Sequence, residues 1–305
     1  MPNQVRTPGQ QAAQRLLAAL GSGRFPHACF VACPDSAYGE ALCRQAAALW
    51  CVGQAVADKL AAWPDYTELG ADPIPVDRIR ELTAALQKHP FLEGKRCVYI
   101  RNAHTMSETV QNALLKTLEE PPADVLFLLS GNENGLLPTI RSRCVRFLYP
   151  GPTQAEIRAR LEAAGASSQD AARYAAWGGT WSRAKRLYEQ PEYRELRQEA
   201  QRLLISLLSG GLPLDRLGEI AKEGEEAAMF MLSLLRDILG YKQGLPPSEN
   251  PEQERDISRF AGKLDNRQIT ALIQLLAEGL ERLASNASNQ ATFTSLFTQI
   301  AEEIA

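Results

Sequence analysis

Apolar positions along the chain follow two rhythms, and the change from one to the other falls near residue 150. In the first half, short continuous apolar runs alternate with stretches of helical period. Residues 8–20 place Ala12, Leu16, Leu17 and Leu20 on one helical face, and Gly21-Ser22-Gly23 ends that helix. Cys29-Phe30-Val31-Ala32 reads as a short buried strand, followed by a loop from Cys33 to Gly39 and a helix from about Glu40 to Trp50. Trp63-Pro64-Asp65-Tyr66 is a turn into a short extended piece. Val76–Lys88 is a helix with Ile79, Leu82 and Leu86 on one face, and Cys97-Val98-Tyr99-Ile100 is a second buried strand.

The stretch that follows organises the chain. Val110, Ala113, Leu114, Thr117 and Leu118 share a helical face. Thr105 and Glu108, three apart just ahead, predict a capping box. Pro121 and Pro122 end the helix, because proline lacks an N–H and restricts the residue before it. Val125–Leu129 is a continuous apolar run, the pattern of a strand buried on both faces. It stops in the loop Gly131–Gly135. Pro138, Thr139 and Ile140 then lead into Ser142-Arg143-Cys144 and a last strand, Val145–Leu148. Strands alternating with helices predict a parallel sheet covered on both faces.

At Tyr149-Pro150-Gly151-Pro152 the pattern changes, and no strand is readable beyond it. Thr153–Ala164, Ser168–Trp177 and Trp181–Glu189 form a small three-helix piece, with Gly178-Gly179 as a break. From Pro191 onward long amphipathic helices alternate with turns, the clearest being the loop 244–251. The expected architecture is an α/β domain over residues 1–150, a small helical domain over 151–192 and an all-α domain over 193–305.

The chain has 305 residues, 45% apolar and 23% charged, which is ordinary for a globular protein of two or three domains. Its net charge of −3 advertises no basic surface for nucleic acid over the whole molecule. No apolar run is long enough to span a membrane, and the first residues carry no apolar signal core, so the expected location is the cytoplasm. The six cysteines are scattered, several in apolar stretches, and read as small buried hydrophobes. Cys29 and Cys33 have no matching second pair, so no metal is expected.

The loop after the first strand tests poorly as a phosphate-binding loop. A Walker A pattern needs glycines for an anion nest, a lysine for the phosphates and a Ser/Thr for magnesium. Gly39 and Glu40 hold the lysine and Ser/Thr slots, and a glutamate there repels a triphosphate. The second strand ends in Arg101-Asn102 where acids would hold magnesium. His27, His89 and His104 are scattered and assemble no catalytic set. One oddity remains. Glu119 and Glu120 sit at a helix C-terminus, where the macrodipole disfavours negative charge, and Arg141, Arg143 and Arg146 cluster nearby. The plain reading pairs the acids with Lys116 or solvent and makes the arginines a solvated rim.

The segment from Asn112 to Pro122, NALLKTLEEPP, together with Leu137-Pro138-Thr139-Ile140-Arg141-Ser142-Arg143-Cys144, resembles the delta-prime subunits of the bacterial DNA polymerase III clamp loader, a branch of the AAA+ superfamily. The last three residues match the family's SRC motif. Val76-Asp77-Arg78-Ile79-Arg80 and the Trp63-Pro64-Asp65 turn also fit, and Gly178-Gly179 with Ser182, Arg183 and Ala184 resembles its lid pattern. The resemblance is strong over about residues 60–145, moderate to 190 and weak beyond, where Leu283–Asn289 alone is similar.

That resemblance implies an AAA+ domain, a helical lid and a helical oligomerisation collar. It implies partners: the gamma/tau ATPase subunits and the delta subunit, with the sliding clamp and primed DNA reached through the complex. It implies that Arg143 acts as an arginine finger on a neighbouring subunit's ATP, with Ser142 and Cys144 holding its loop. The ATP-binding gamma/tau subunits carry Gly-Lys-Thr where this chain has Tyr38-Gly39-Glu40, and Asp-Glu where it has Arg101-Asn102. Many relatives carry four zinc-binding cysteines, of which only Cys51 lies in the corresponding region. These departures imply a member without ATPase, cofactor or zinc. An active AAA+ ATPase with an atypical loop, and a stand-alone DNA-binding adaptor, are the competing readings.

Overall fold

The computed structural model describes residues 7–22, 25–60, 62–70, 73–92, 94–131, 133–284 and 288–304. Parts of the readings above, at residues 1–6, Gly23, Asn132 and 285–287, lie outside the described residues. The chain divides into two compact units, Met1–Glu156 with Thr180–Ser182, and Ile157–Gly179 with Arg183–Ala305.

The first unit is α/β. Its elements run α1 (Pro8–Gly21), β1 (Ala28–Ala32), α2 (Ser36–Val52), β2 (Tyr66–Leu69), α3 (Val76–Leu86), β3 (Arg96–Ile100), α4 (Glu108–Glu119), β4 (Val125–Ser130), α5 (Pro138–Arg141) and β5 (Val145–Leu148). The five strands form one sheet in the order β2-β3-β4-β1-β5, every pair parallel. Cys29 lies opposite Leu128 on one side and Val145 on the other.

The continuous apolar runs are explained by this sheet, because alternate residues of each strand face different layers. Phe30, Val98, Ile100, Phe127 and Leu129 pack with Ile79 and Leu82 of α3 and Leu114 and Leu118 of α4. Cys29, Val31, Cys97, Tyr99 and Leu128 pack on the opposite face with Leu16 and Leu20 of α1 and Leu42, Cys43 and Ala46 of α2. β5 differs. It is an edge strand, and Val145 and Leu148 are 54% and 61% exposed.

The cap of α4 corrects one expectation. Ser107, not Thr105, is the N-cap, its hydroxyl accepting from Val110 N at 3.4 Å. Thr105 closes a tight turn instead, donating to Asn102 O at 2.9 Å. That turn starts at Asn102, which adopts the left-handed conformation at φ 46° directly after β3.

The second unit contains helices and no strand among the described residues. α6 (Gln154–Ala163) and α8 (Trp181–Glu189) begin in the first unit by a few residues and continue here. With them are α7 (Ser168–Gly178), α9 (Pro191–Leu208), α10 (Leu217–Ile220), α11 (Gly224–Lys242), α12 (Glu254–Lys263), α13 (Asn266–Ala284) and α14 (Asn289–Ile304). Leu203, Leu204 and Leu207 of α9, Phe230, Met231 and Leu234 of α11, and Phe293 and Phe297 of α14 share one core.

A buried polar knot interrupts that core. Arg197 is 1% exposed, and an unpaired charge there would be costly. It is paired with Glu252 at 2.8 Å, donates to Asn250 Oδ1 at 2.8 Å, and lies 4.2 Å from the centre of the Trp177 ring. Asp237 accepts from the backbone N–H groups of Ser248, Glu249 and Asn250 at 2.9, 3.1 and 2.7 Å, which fixes the loop read from the sequence at 244–251.

Candidate functional site

The loop after β1 lies at the carboxyl end of the sheet, where open α/β folds bind ligands. Its backbone is spoken for. α2 starts at Ser36, earlier than the expected Glu40, so Gly39 sits inside the helix rather than in the loop. Asp35 is the N-cap. Its carboxylate accepts from Tyr38 N at 3.4 Å, and its carbonyl accepts from Gly39 N at 3.0 Å. Tyr38 N is one of the first-turn amides a phosphate would need. A side chain at position 39 would also press on Cys33 Cβ, 3.0 Å from where its own Cβ would stand.

Asp35 is 1% exposed and holds a second set of donors. Its carboxylate accepts from the N–H groups of Trp181 and Ser182 and from Ser182 Oγ, the latter at 2.8 Å. Thr180–Ser182 belongs to this same unit. Trp181 opens α8, so the positive end of that helix is satisfied by a carboxylate of the chain itself.

The two slots expected to hold magnesium are joined directly. Arg101 Nη1 donates to Glu40 Oε2 at 3.2 Å. Arg101 Nε also lies 3.2 Å from Glu68 Oε1, an ion pair without a well-directed hydrogen bond. Arg44 completes the set. Its Nη2 reaches Glu68 Oε1 at 2.8 Å and Glu40 Oε2 at 3.4 Å, and its Nε reaches Glu68 Oε2 at 3.2 Å. Two guanidiniums and two carboxylates thus close a neutral quartet, all four side chains between 19% and 34% exposed. Partial burial pushes the Glu68 carboxyl up, but the hydrogen bonds from Arg44 and Tyr66 and the charges of Arg44 and Arg101 outweigh it, and its pKa lies below the ordinary value. Arg101 thus puts a permanent cation at the end of β3, between Glu40 and Glu68.

The SRC triplet is built differently. The short helix α5 starts with Pro138 and ends at Arg141. Ser142 Oγ donates to Thr139 O at 3.0 Å, closing the turn. Cys144 is half-buried against the α3–α4 face of the core, and burial pushes its thiol up to about 11. Arg143 is left with its side chain 31% exposed. Its Nη1 donates to Thr139 O at 2.8 Å and to Ser142 Oγ at 3.3 Å, and its Nη2 pairs with Glu119. The odd acid at the end of α4 therefore finds Arg143 and not Lys116. The neighbouring Arg146 pairs with Glu133 at 2.5 Å.

Sequence reasoning brought Gly39, Glu40 and Arg101 to one place and set Ser142, Arg143 and Cys144 in one turn. It missed Asp35, Arg44 and Glu68. Asp35 had a readable signal, as an Asp just ahead of a helix. Glu68 had none, since its arginine partners lie 24 and 33 positions away in sequence.

A parallel five-stranded sheet with its strand-end loop crossed by internal ion pairs, an SRC turn with a part-exposed arginine, and a helical C-terminal region fit a subunit of the clamp-loader type. The family model described as "DNA polymerase III, delta subunit" matches residues 9–151. The delta-prime subunit of DNA polymerase III from Escherichia coli K12 is 31% identical over 231 residues, covering 73% of this chain and 69% of that protein. The chain accordingly belongs to the delta-prime family of DNA polymerase III clamp-loader subunits. A more local likeness, 38% over 87 residues, links 28% of this chain to 15% of the gamma/tau subunit of Mycoplasma genitalium. The solved structure of a gamma-subunit-related protein from Thermotoga maritima superposes with a TM-score of 0.45 at 16% identity, covering 96% of this chain and 100% of that one. No helix among the described residues is long and apolar enough to cross a membrane.

Proposed function

We propose that this delta-prime subunit neither binds nor hydrolyses ATP and serves the clamp loader in trans, through Arg143 on the ATP of a neighbouring subunit. The observation that carries this reading is the ion pair between Arg101 and Glu40, at 3.2 Å, across the two positions that hold magnesium in an active AAA+ site. A chain with that pair in place has no use for an arginine finger of its own. Arg143 presents a planar, permanent cation, the group suited to a γ-phosphate. It would stabilise charge developing on the transferred phosphoryl group. Ser142, bonded to Thr139 O, and Cys144, packed on the core, hold its turn.

In this reading residues 1–150 form the AAA+ domain, 151–192 the lid and 193–305 the oligomerisation collar. The partners are the gamma/tau and delta subunits, with the sliding clamp and primed DNA reached through the assembled complex in the cytoplasm. The collar assignment is supported by the long helices of this unit, which share one continuous core.

Equilibrium binding of labelled ATP to the isolated full chain tests the first half. No saturable binding is expected at low-millimolar nucleotide. A dissociation constant in the micromolar range would restore the alternative of an active ATPase with an atypical loop.

A further inference from the structure

We infer that Glu119 is a positioning residue for the arginine finger: it stows Arg143 on its own chain, and the neighbour's nucleotide must displace it. The inference rests on the trans reading of Arg143 given above. Three observations carry it. First, both terminal nitrogens of Arg143 are engaged at home, Nη1 by Thr139 O and Ser142 Oγ and Nη2 by Glu119. Of these contacts only Glu119 is anionic, so it is the one a phosphate would compete with directly. The two neutral contacts can persist and keep the guanidinium aimed once the carboxylate lets go.

Second, Glu119 occupies the last position of α4, where the exposed carbonyls disfavour a negative charge. Its presence does not serve the helix. Pairing with Arg143 gives that charge a role in this turn. Third, the pair is open to solvent on both sides, with Glu119 47% and Arg143 31% exposed. An ion pair so exposed is weak. It orders a long side chain that would otherwise sample many rotamers, yet yields to a triphosphate carrying several negative charges.

The mechanism involves an exchange of hydrogen bonds and no covalent step. The guanidinium leaves the Glu119 carboxylate, which becomes hydrated, and takes up the γ-phosphate oxygens. The cost of leaving Glu119 is subtracted from what the finger contributes, so removing the carboxylate should speed hydrolysis at the one site Arg143 serves.

The test uses full-length chains assembled with the gamma/tau and delta subunits: wild type, Glu119→Gln, Arg143→Ala and the double variant. Single-turnover ATP hydrolysis is followed, and the phase lost or slowed in Arg143→Ala marks the relevant site. Glu119→Gln keeps the size of the side chain and removes its charge. It should accelerate that phase by about two- to five-fold, the range expected for an exposed ion pair. In the Arg143→Ala background the same change should do nothing. A Glu119→Gln complex that hydrolyses at the wild-type rate or more slowly, while Arg143→Ala slows the phase, would overturn the stowing role and leave the finger reading intact. If Arg143→Ala itself leaves every phase unchanged in an assembled complex, the finger reading fails and takes this inference with it. Thermal melting of the isolated chains guards against misfolding: Glu119→Gln and wild type should melt together.

Discussion

Two corners of the α/β unit hold the same kinds of charge and use them in opposite ways. Behind β1 and β3, Arg44, Arg101, Glu40 and Glu68 cancel one another in a closed, part-buried quartet. At the SRC turn, Arg143 has a single acid partner, and both are open to solvent. Charges paired several times over within the chain belong to its architecture, because each one withdrawn leaves another uncompensated. A charge held by one weak, exposed pair can be lent out. The contrast separates arginines locked into the fold from one that the proposed trans role would leave free to change partner.

The largest test of that contrast is Arg143→Ala. The isolated chain should melt as wild type does, while the reconstituted complex loses roughly 10³-fold in rate at the one ATP site served. Clamp loading should fall more visibly than total ATPase, because the other sites mask the loss in bulk turnover. Arg143→Lys should rescue poorly, since an ammonium lacks the planar fork. Unchanged clamp loading in a complex shown to be fully assembled would make Arg143 as structural as Arg101.

Glu40→Ala probes the other corner and should give the reverse result. Arg101 and Arg44 would then share Glu68 alone, and the isolated chain should lose about 1–2 kcal/mol of stability in denaturant titration. ATPase at partner sites should stay within the change that stability alone explains. A variant as stable as wild type would mean that solvent already screens the quartet and that the two corners do not differ.

The smallest expected effect is in pH. Glu68 has a folded pKa below its ordinary value, so its contribution is present at neutral pH and is lost as pH falls below about 4.5 and through the folded value. Glu68→Gln should therefore be less stable than wild type at pH 7, and the gap should close in acid. A gap that holds constant from neutral pH to about pH 3 would show that Glu68 acts by shape and not by charge.

Much of the fold was legible because its signals are local. The apolar runs at Cys29–Ala32, Cys97–Ile100 and Val125–Leu129 identified three buried strands, and the prolines after Glu120 marked the end of α4. The strand at Val145–Leu148 was found too, but four residues interrupted by Arg146 did not reveal that it would be an exposed edge. The cap at Ser107 was missed because Thr105 and Glu108 mimic a capping box, while the turn that consumes Thr105 depends on the left-handed Asn102. At the candidate site the departures from a Walker A pattern were legible. The ion pairs made there were not. Arg101 meets Glu40 across 61 positions, and Arg143 meets Glu119 across 24, so only the folded sheet brings them together. The misplaced acid at the end of α4 was noticed, but charge alone could not choose between Lys116, solvent and Arg143.

The burial of Cys144 gives the turn beside Arg143 a clock. With its thiol pushed up to about 11 by burial, little of it is the reactive thiolate at pH 8. When the turn peels away from the core the thiol regains an ordinary acidity near 8.5. Because Cys144 is half-buried, its alkylation by a small reagent reports both the exposure of the closed turn and the openings of this segment. If a subunit docks at Arg143 as proposed, it should slow this alkylation, and the degree of slowing would measure how tightly the neighbour covers this edge.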